Sequence, residues 1–207
     1  MLEAHAHQQL KQLLLQERSA WPHHLTLSRL IARGLRRRDH ALIQLSPCCQ
    51  DQWWLGLLVP LCLQSRHCVL VLEDQQRQRL PRVERPRLQA EGLQLPCWQG
   101  LEAPQGDQLW LLNTQELVEA QRLGLLRAHH LLIIPEADQL SQRLRRAMAL
   151  TLTASDWESL RRAQPSADGA LLELYERLSR QLFGQATHSD ASVRLQSCQL
   201  QSLRDLL

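Results

Sequence analysis

Short apolar runs, each handing over to a stretch of helical period, constrain this chain more than any other feature. The clearest are Cys68-Val69-Leu70-Val71-Leu72, Gln108-Leu109-Trp110-Leu111-Leu112 and Leu131-Leu132-Ile133-Ile134, with a weaker run at Ala41-Leu42-Ile43-Gln44-Leu45 and a doubtful one at Leu93–Trp98. Each is far too short to span a membrane and has the length of a strand. Unbroken apolar strands are buried on both faces, which requires a parallel sheet covered by helices on either side. Strand, loop and helix in repetition give the same answer. The expected fold class is therefore α/β, a mostly parallel sheet with helices on both faces and extra helices at both ends.

The helices are read from apolar spacing and from punctuation. Residues 2–18 carry Leu10, Leu13 and Leu14 on one face, and Trp21-Pro22 ends that segment. A second helix is expected from Thr26, with Leu27, Leu30 and Ile31 inward and Arg33, Arg36, Arg37 and Arg38 near its favoured C-terminal end. Further helices are expected from Trp53 to about Leu63, from Gln75 to about Leu88 with interruptions at Pro81 and Pro86, after Asn113-Thr114, over Leu140–Leu152, and over Ala170–Phe183. Ser155 with Glu158 has the spacing of a capping box. No linker or internal repeat interrupts the pattern. The economical division is a helical segment over 1–39, an α/β core over 40–153 and a helical segment over 154–207.

Composition limits the partners and the chemistry. Hydrophobic residues make up 44% of the 207 and charged residues 22%, the balance of a globular chain, and the polar N-terminus points to the cytoplasm rather than to export. The net charge of +3 permits a nucleic-acid partner without demanding one. Lys11 is the only lysine, so almost all positive charge is arginine, a good bidentate phosphate ligand; a GC-rich genome would produce the same bias. Cys48, Cys49, Cys62, Cys68, Cys97 and Cys198 contain no C-x-x-C pair, and the doublets His23-His24 and His129-His130 have no partner set within reach along the sequence. No metal ligand set is assigned.

The loop from Ser46 to Trp53 is where a nucleotide-binding sheet would keep its phosphate loop. That loop requires glycines for backbone approach, a lysine for the phosphates and a Ser or Thr for magnesium. This one has neither glycine nor lysine, and Asp51 would repel an anion. After the run Leu131–Ile134 come Pro135, Glu136, Ala137 and Asp138, at the strand end where ligands of such sheets collect.

The order of the segments Trp21–Leu30, Ala41–Gln44 and Ala154–Trp157 resembles the N-terminal region of cyanobacterial DinG-type proteins, superfamily 2 ATP-dependent DNA helicases related to XPD. The resemblance covers most of the chain and implies a RecA-like P-loop NTPase lobe, the first of a helicase's two motor lobes. It implies that Ser46, Cys48, Gln50 and Gln52 belong to a degenerate phosphate loop. It also implies that Leu131–Asp138 occupies the place of the DEAH box. Pro135 then stands where the magnesium-binding aspartate belongs, Glu136 where the water-polarising glutamate belongs, and Asp138 where the histidine belongs. ATP and magnesium are implied cofactors, but the Walker A lysine and the motif II aspartate are both lacking. The cysteines do not make the compact four-cysteine insert of the family's iron–sulfur cluster.

Two roles follow as expectations. As a DNA-associated lobe, the chain would hold single-stranded DNA through Arg77, Arg79, Arg82 and Arg85, which follow the second strand; a solvated helix face paired with Glu73, Asp74 and Glu84 explains the same arginines. Glu136 is read either as a retained catalytic carboxylate or as a solvated one. As a scaffold, the lobe would instead carry a protein partner or a second helicase lobe.

Overall fold

The computed structural model describes residues 2–17, 21–46, 51–149 and 153–183. They fall into two compact units, Met1–Ala149 and Leu150–Leu207.

The first unit is built on a four-stranded, all-parallel sheet. Its strands are β1 (Cys68–Val71), β2 (Cys97–Gln99), β3 (Leu109–Leu112) and β4 (Leu131–Ile133), in spatial order β2-β3-β1-β4. The expected α/β class is what the chain forms. Every residue of β1 and of β3 is buried, as their unbroken apolar runs require. Alternation splits the two strands between two cores. Val69, Val71, Trp110 and Leu112 pack on one face with Leu117 and Ala120 of α6 (Thr114–Arg122). Cys68, Leu70, Leu72, Leu109 and Leu111 face the other way, into the larger core.

That larger core is covered by α1 (Leu2–Glu17), α2 (His24–Arg37) and α3 (Trp53–Leu63). Helices α1 and α2 each present one inward stripe: Ala6, Leu10 and Leu13, then Leu27, Ala32 and Leu35. Helix α3 is apolar all round, and Trp54 through Leu61 are buried in it without a break. A Cβ on Gly56 of α3 would lie 2.9 Å from Leu27 Cδ2, so the glycine sets how closely α2 and α3 approach.

Between β1 and β2 the chain is helical from Asp74 to Ala90, as α4 (Asp74–Arg79), a π turn (Leu80–Glu84) and α5 (Arg85–Ala90). Pro81 and Pro86 were expected to interrupt this segment; Pro81 lies in the widened turn and Pro86 is the second residue of α5, each near the start of its element, where fewer regular i→i−4 bonds are demanded. The extra residue also corrects the phase. Leu80 and Leu88 are eight positions apart, about 80° out of register on an ideal helix, and slowing the winding by one residue brings them to within roughly 20°. Both are buried, and Glu84 between them is wholly buried too.

Five expectations need correction, the first being Leu30, expected inward on α2 but 44% exposed there. Ala41–Leu45 is not a strand: the segment has no regular structure and Leu42 is 88% exposed. Its apolar content is confined to a few residues whose backbone pairs with no described strand. Strand β4 is not buried on both faces; among the described residues it pairs only with β1, and Leu132 is 45% exposed. The strand expected over Leu93–Trp98 is displaced to Cys97–Gln99, because Leu93 and Leu95 are used as core contacts before the ladder begins. The capping box lies two residues earlier than expected. Thr153, not Ser155, caps α8 (Ala154–Ala163), accepting from the Asp156 N–H while the Asp156 carboxylate accepts from the Thr153 N–H at 2.8 Å. A Thr cap with Asp at the third helical position serves the same donors as Ser with Glu.

In the second unit α8 leads through a 3-10 turn (Pro165–Ala167) to α9 (Asp168–Phe183). Arg161 of α8 pairs with Asp168 at the start of α9, and Trp157 meets Tyr175 edge to face, ring centres 5.7 Å apart. Helix α7 (Leu140–Ala147) closes the first unit. No helix among the described residues is long and apolar enough to cross a membrane.

Candidate functional site

A parallel sheet offers ligands the crevice at its carboxyl edge, between adjacent strands whose outgoing helices take opposite faces. Here those strands are β1 and β3. The helix after β1 packs in the larger core through Leu80 and Leu88, whereas α6 after β3 packs on the other face. The crevice mouth is formed by Glu73, Asp74 and Arg77 on one side and by Asn113, Thr114 and Glu116 on the other.

These groups bind one another. The Thr114 hydroxyl donates to Glu73 Oε1 at 2.5 Å, and Arg77 Nη1 donates to Glu116 Oε2 at 2.8 Å. Glu73 also completes a capping box on α4 with Gln76. Glu116 does the same for α6: its carboxylate accepts from the Asn113 N–H at 2.8 Å, and its own N–H donates to Asn113 Oδ1 at 2.8 Å. Two helix caps and two cross-strand bonds thus close the switch point with the chain's own polar groups. Beside it Asp74, Arg77, Gln78, Pro81, Arg82 and Gln99 line an open depression of about 340 Å³.

The arginines expected on nucleic acid separate into two pairs. Arg77 is engaged by Glu116, and Arg79 donates to Asp51 at 2.5 Å and to buried Glu84 at 2.8 Å. Arg82 is exposed on the depression, and Arg85 makes only a long contact to the Leu95 carbonyl at 3.5 Å among the described residues.

The next site is the end of β4. Glu136 follows Pro135 in a turn and adopts φ +55°, the left-handed region that disfavours a side chain. Its carboxylate is held by Arg143 of α7, which also donates to Gln139 Oε1 at 2.9 Å. Pro135 brings no metal ligand. Of the residues read as a degenerate phosphate loop, Ser46 is exposed at the end of the irregular segment and Gln52 lies in a 3-10 turn leading into α3, while Cys48 and Gln50 fall outside the described residues. Magnesium and a nucleoside triphosphate therefore do not fit the residues described at this edge: one position has no ligand atom and the adjacent carboxylate is bound to a guanidinium.

A second constellation lies at the opposite, amino edge of the sheet. The β1–β4 register places Cys68 against Leu131, so the residues before each strand meet as well. These are His67 on one side and His129-His130 on the other, and the Leu131 N–H donates to the His67 carbonyl at 2.9 Å. Suitable ligand atoms of the three histidines all lie within 4.8 Å of one another. His67 sits at φ +59° in the turn that the Cys68 N–H closes onto the Ser65 carbonyl at 3.0 Å. A cavity of about 190 Å³ beside it is lined by Arg66, His67, Asp107, Trp110 and His130, among others. Sequence reading missed this cluster because its members are remote along the chain, and only the strand pairing joins them.

No family model, no curated protein and no solved structure matches this chain.

Proposed function

We propose that this chain is a helicase-like α/β lobe that associates with single-stranded DNA and does not turn over ATP by itself. The observation that carries the second half is the state of the β4 end, where Pro135 offers no ligand and Arg143 neutralises Glu136. Hydrolysis of a triphosphate needs a metal and a positioned water, and at the two positions that would hold them stand a proline and a carboxylate already paired with Arg143. The first half rests on the resemblance of the segment order and on the parallel sheet, with Arg82 at the carboxyl edge and Arg85 further along the same helical segment, beside the start of β2, as the phosphate contacts. Its setting is the cytoplasm.

Fluorescence anisotropy with a labelled oligothymidylate tests this. Expected is binding that weakens steeply between about 50 and 200 mM salt and falls in Arg82→Ala/Arg85→Ala, with no magnesium-dependent phosphate release. Turnover abolished by Glu136→Gln would overturn the catalytic half.

One observation favours a second reading, a scaffold for a protein partner. Arg77 and Arg79 are committed to intramolecular pairs, and Leu132 stands exposed on an edge strand. Absence of DNA binding at low salt selects that reading.

A further inference from the structure

We propose that His67, His129 and His130 form a binding site for a divalent transition-metal ion of the zinc type. The site is independent of the nucleotide reading, since it lies at the other end of the strands.

Three imidazoles converge from two loops that the sheet itself fixes in place. The ring centres of His67 and His129 are 4.5 Å apart, those of His129 and His130 also 4.5 Å, and those of His67 and His130 6.1 Å. No ring is stacked flat on another; the interplanar angles run from 51° to 73°. One ligand atom from each ring lies within 4.8 Å of those of the other two, so rotation of the rings can bring them onto one ion. Imidazole nitrogen suits zinc, cobalt, nickel and copper, and three histidines with an open fourth position are a known zinc arrangement.

Two hydrogen bonds define the available lone pairs. Arg66 Nε donates to His67 Nε2 at 3.2 Å, and the Arg127 N–H donates to His130 Nδ1 at 3.0 Å. Both acceptor nitrogens are therefore unprotonated, so coordination there needs no change of tautomer. It needs only displacement of one exposed arginine side chain and one loop N–H.

The charge around the rings has both signs. Arg66, Arg127 and Arg38, whose Nη1 donates to the His129 carbonyl at 3.4 Å, oppose a cation. Asp107 favours it, lies on the same cavity wall, and holds Arg66 at 3.6 Å, which gives that guanidinium a place to go. Burial pushes the His67 and His130 imidazoles below their ordinary range, with His129 adding to the effect. Cys68 lines the cavity too, but its Sγ is engaged by the Gln64 and Arg66 carbonyls at 3.9 and 3.7 Å, which leaves the imidazole nitrogens as the donors.

The left-handed turn at His67 is a second sign. Histidine is one of the few side chains tolerated there, and Asn is another. His67→Asn therefore removes the ligand while keeping the backbone.

Titration of the full chain with cobalt(II), followed by visible absorption and by zinc competition in calorimetry, decides the matter. Expected is one ion with d–d bands, without a thiolate charge-transfer band, and displaced by zinc. His67→Asn and His129→Gln should each weaken binding at least tenfold, with thermal unfolding of the metal-free proteins confirming that both fold. His5→Gln/His7→Gln should leave affinity unchanged. Lack of binding by the intact chain, undiminished binding in His67→Asn, or a thiolate band would each overturn the proposal.

Discussion

Arg77 and Glu116 meet at 2.8 Å across the gap between β1 and β3, at the one place where the topology opens a crevice. The contact is largely shielded, with the arginine side chain 14% exposed and the glutamate 26%. Because Glu116 also caps α6, the two partners are not equivalent. Glu116→Ala should cost about 1–3 kcal/mol, as a cap and an ion pair are lost together. Arg77→Ala should cost less, since the remaining carboxylate keeps its Asn113 N–H. Urea unfolding of the two single variants and the double variant measures the difference, with a coupling of about 1 kcal/mol expected between the sites.

Glu84 carries a heavier load. It is wholly buried, accepting from Arg79 at 2.8 Å and from Arg87 at 2.7 Å, and Arg87 reaches on to Glu17 at the end of α1. Burying this carboxylate is tolerable only because two guanidiniums surround it. Glu84→Ala should lose roughly 3–5 kcal/mol, and Glu84→Gln should recover part of that by keeping some hydrogen bonds. Chemical denaturation with an unchanged slope would show that stability alone has moved.

Acid should weaken the fold before carboxylates titrate. His24 is buried beside Trp21, and burial holds its imidazole below the ordinary value, with Arg87 pushing the same way. His67 and His130 are lowered likewise. A lowered histidine binds fewer protons folded than unfolded, so its contribution is complete above the unfolded value near 6.5 and is lost as pH falls through the folded value. Melting temperature measured from pH 8 to pH 5 should decline, and His24→Leu should flatten part of that decline.

Packing at the α2–α3 contact has no spare room. Gly56→Ala should destabilise by about 1–3 kcal/mol as Leu27 is pushed aside, whereas Gly34→Ala, where an added Cβ meets nothing within 4 Å, should be neutral or slightly stabilising in its helix. Parallel thermal melts distinguish the two.

The sequence was informative where one interaction dominates. β1 and β3 were legible because strands covered on both faces must be apolar throughout, and α3 because its bounds coincide with an apolar block. Ala41–Leu45 has similar composition but no described neighbour to pair with, and composition does not specify pairing. Pro81 was read as a break because a single chain position says nothing of a π turn, which is justified only by the burial of Leu80 and Leu88. Arg77 and Glu136 were singled out in the sequence and lie at the carboxyl edge, but whether a charge is free or already satisfied is a tertiary property. The histidine cluster could have been suspected from one local signal, the histidines that directly precede two strands.

Among the described residues β4 is an outer strand of the sheet, paired with β1 alone. On the β4 side, among the described residues, main-chain donors and acceptors face outward from a strand bearing an exposed leucine, with no Pro or Lys in it to discourage company. Such a border is a template for intermolecular ladder formation. Concentrated preparations of the chain should therefore self-associate through β4, and a charged residue in place of Leu132 should keep them dispersed.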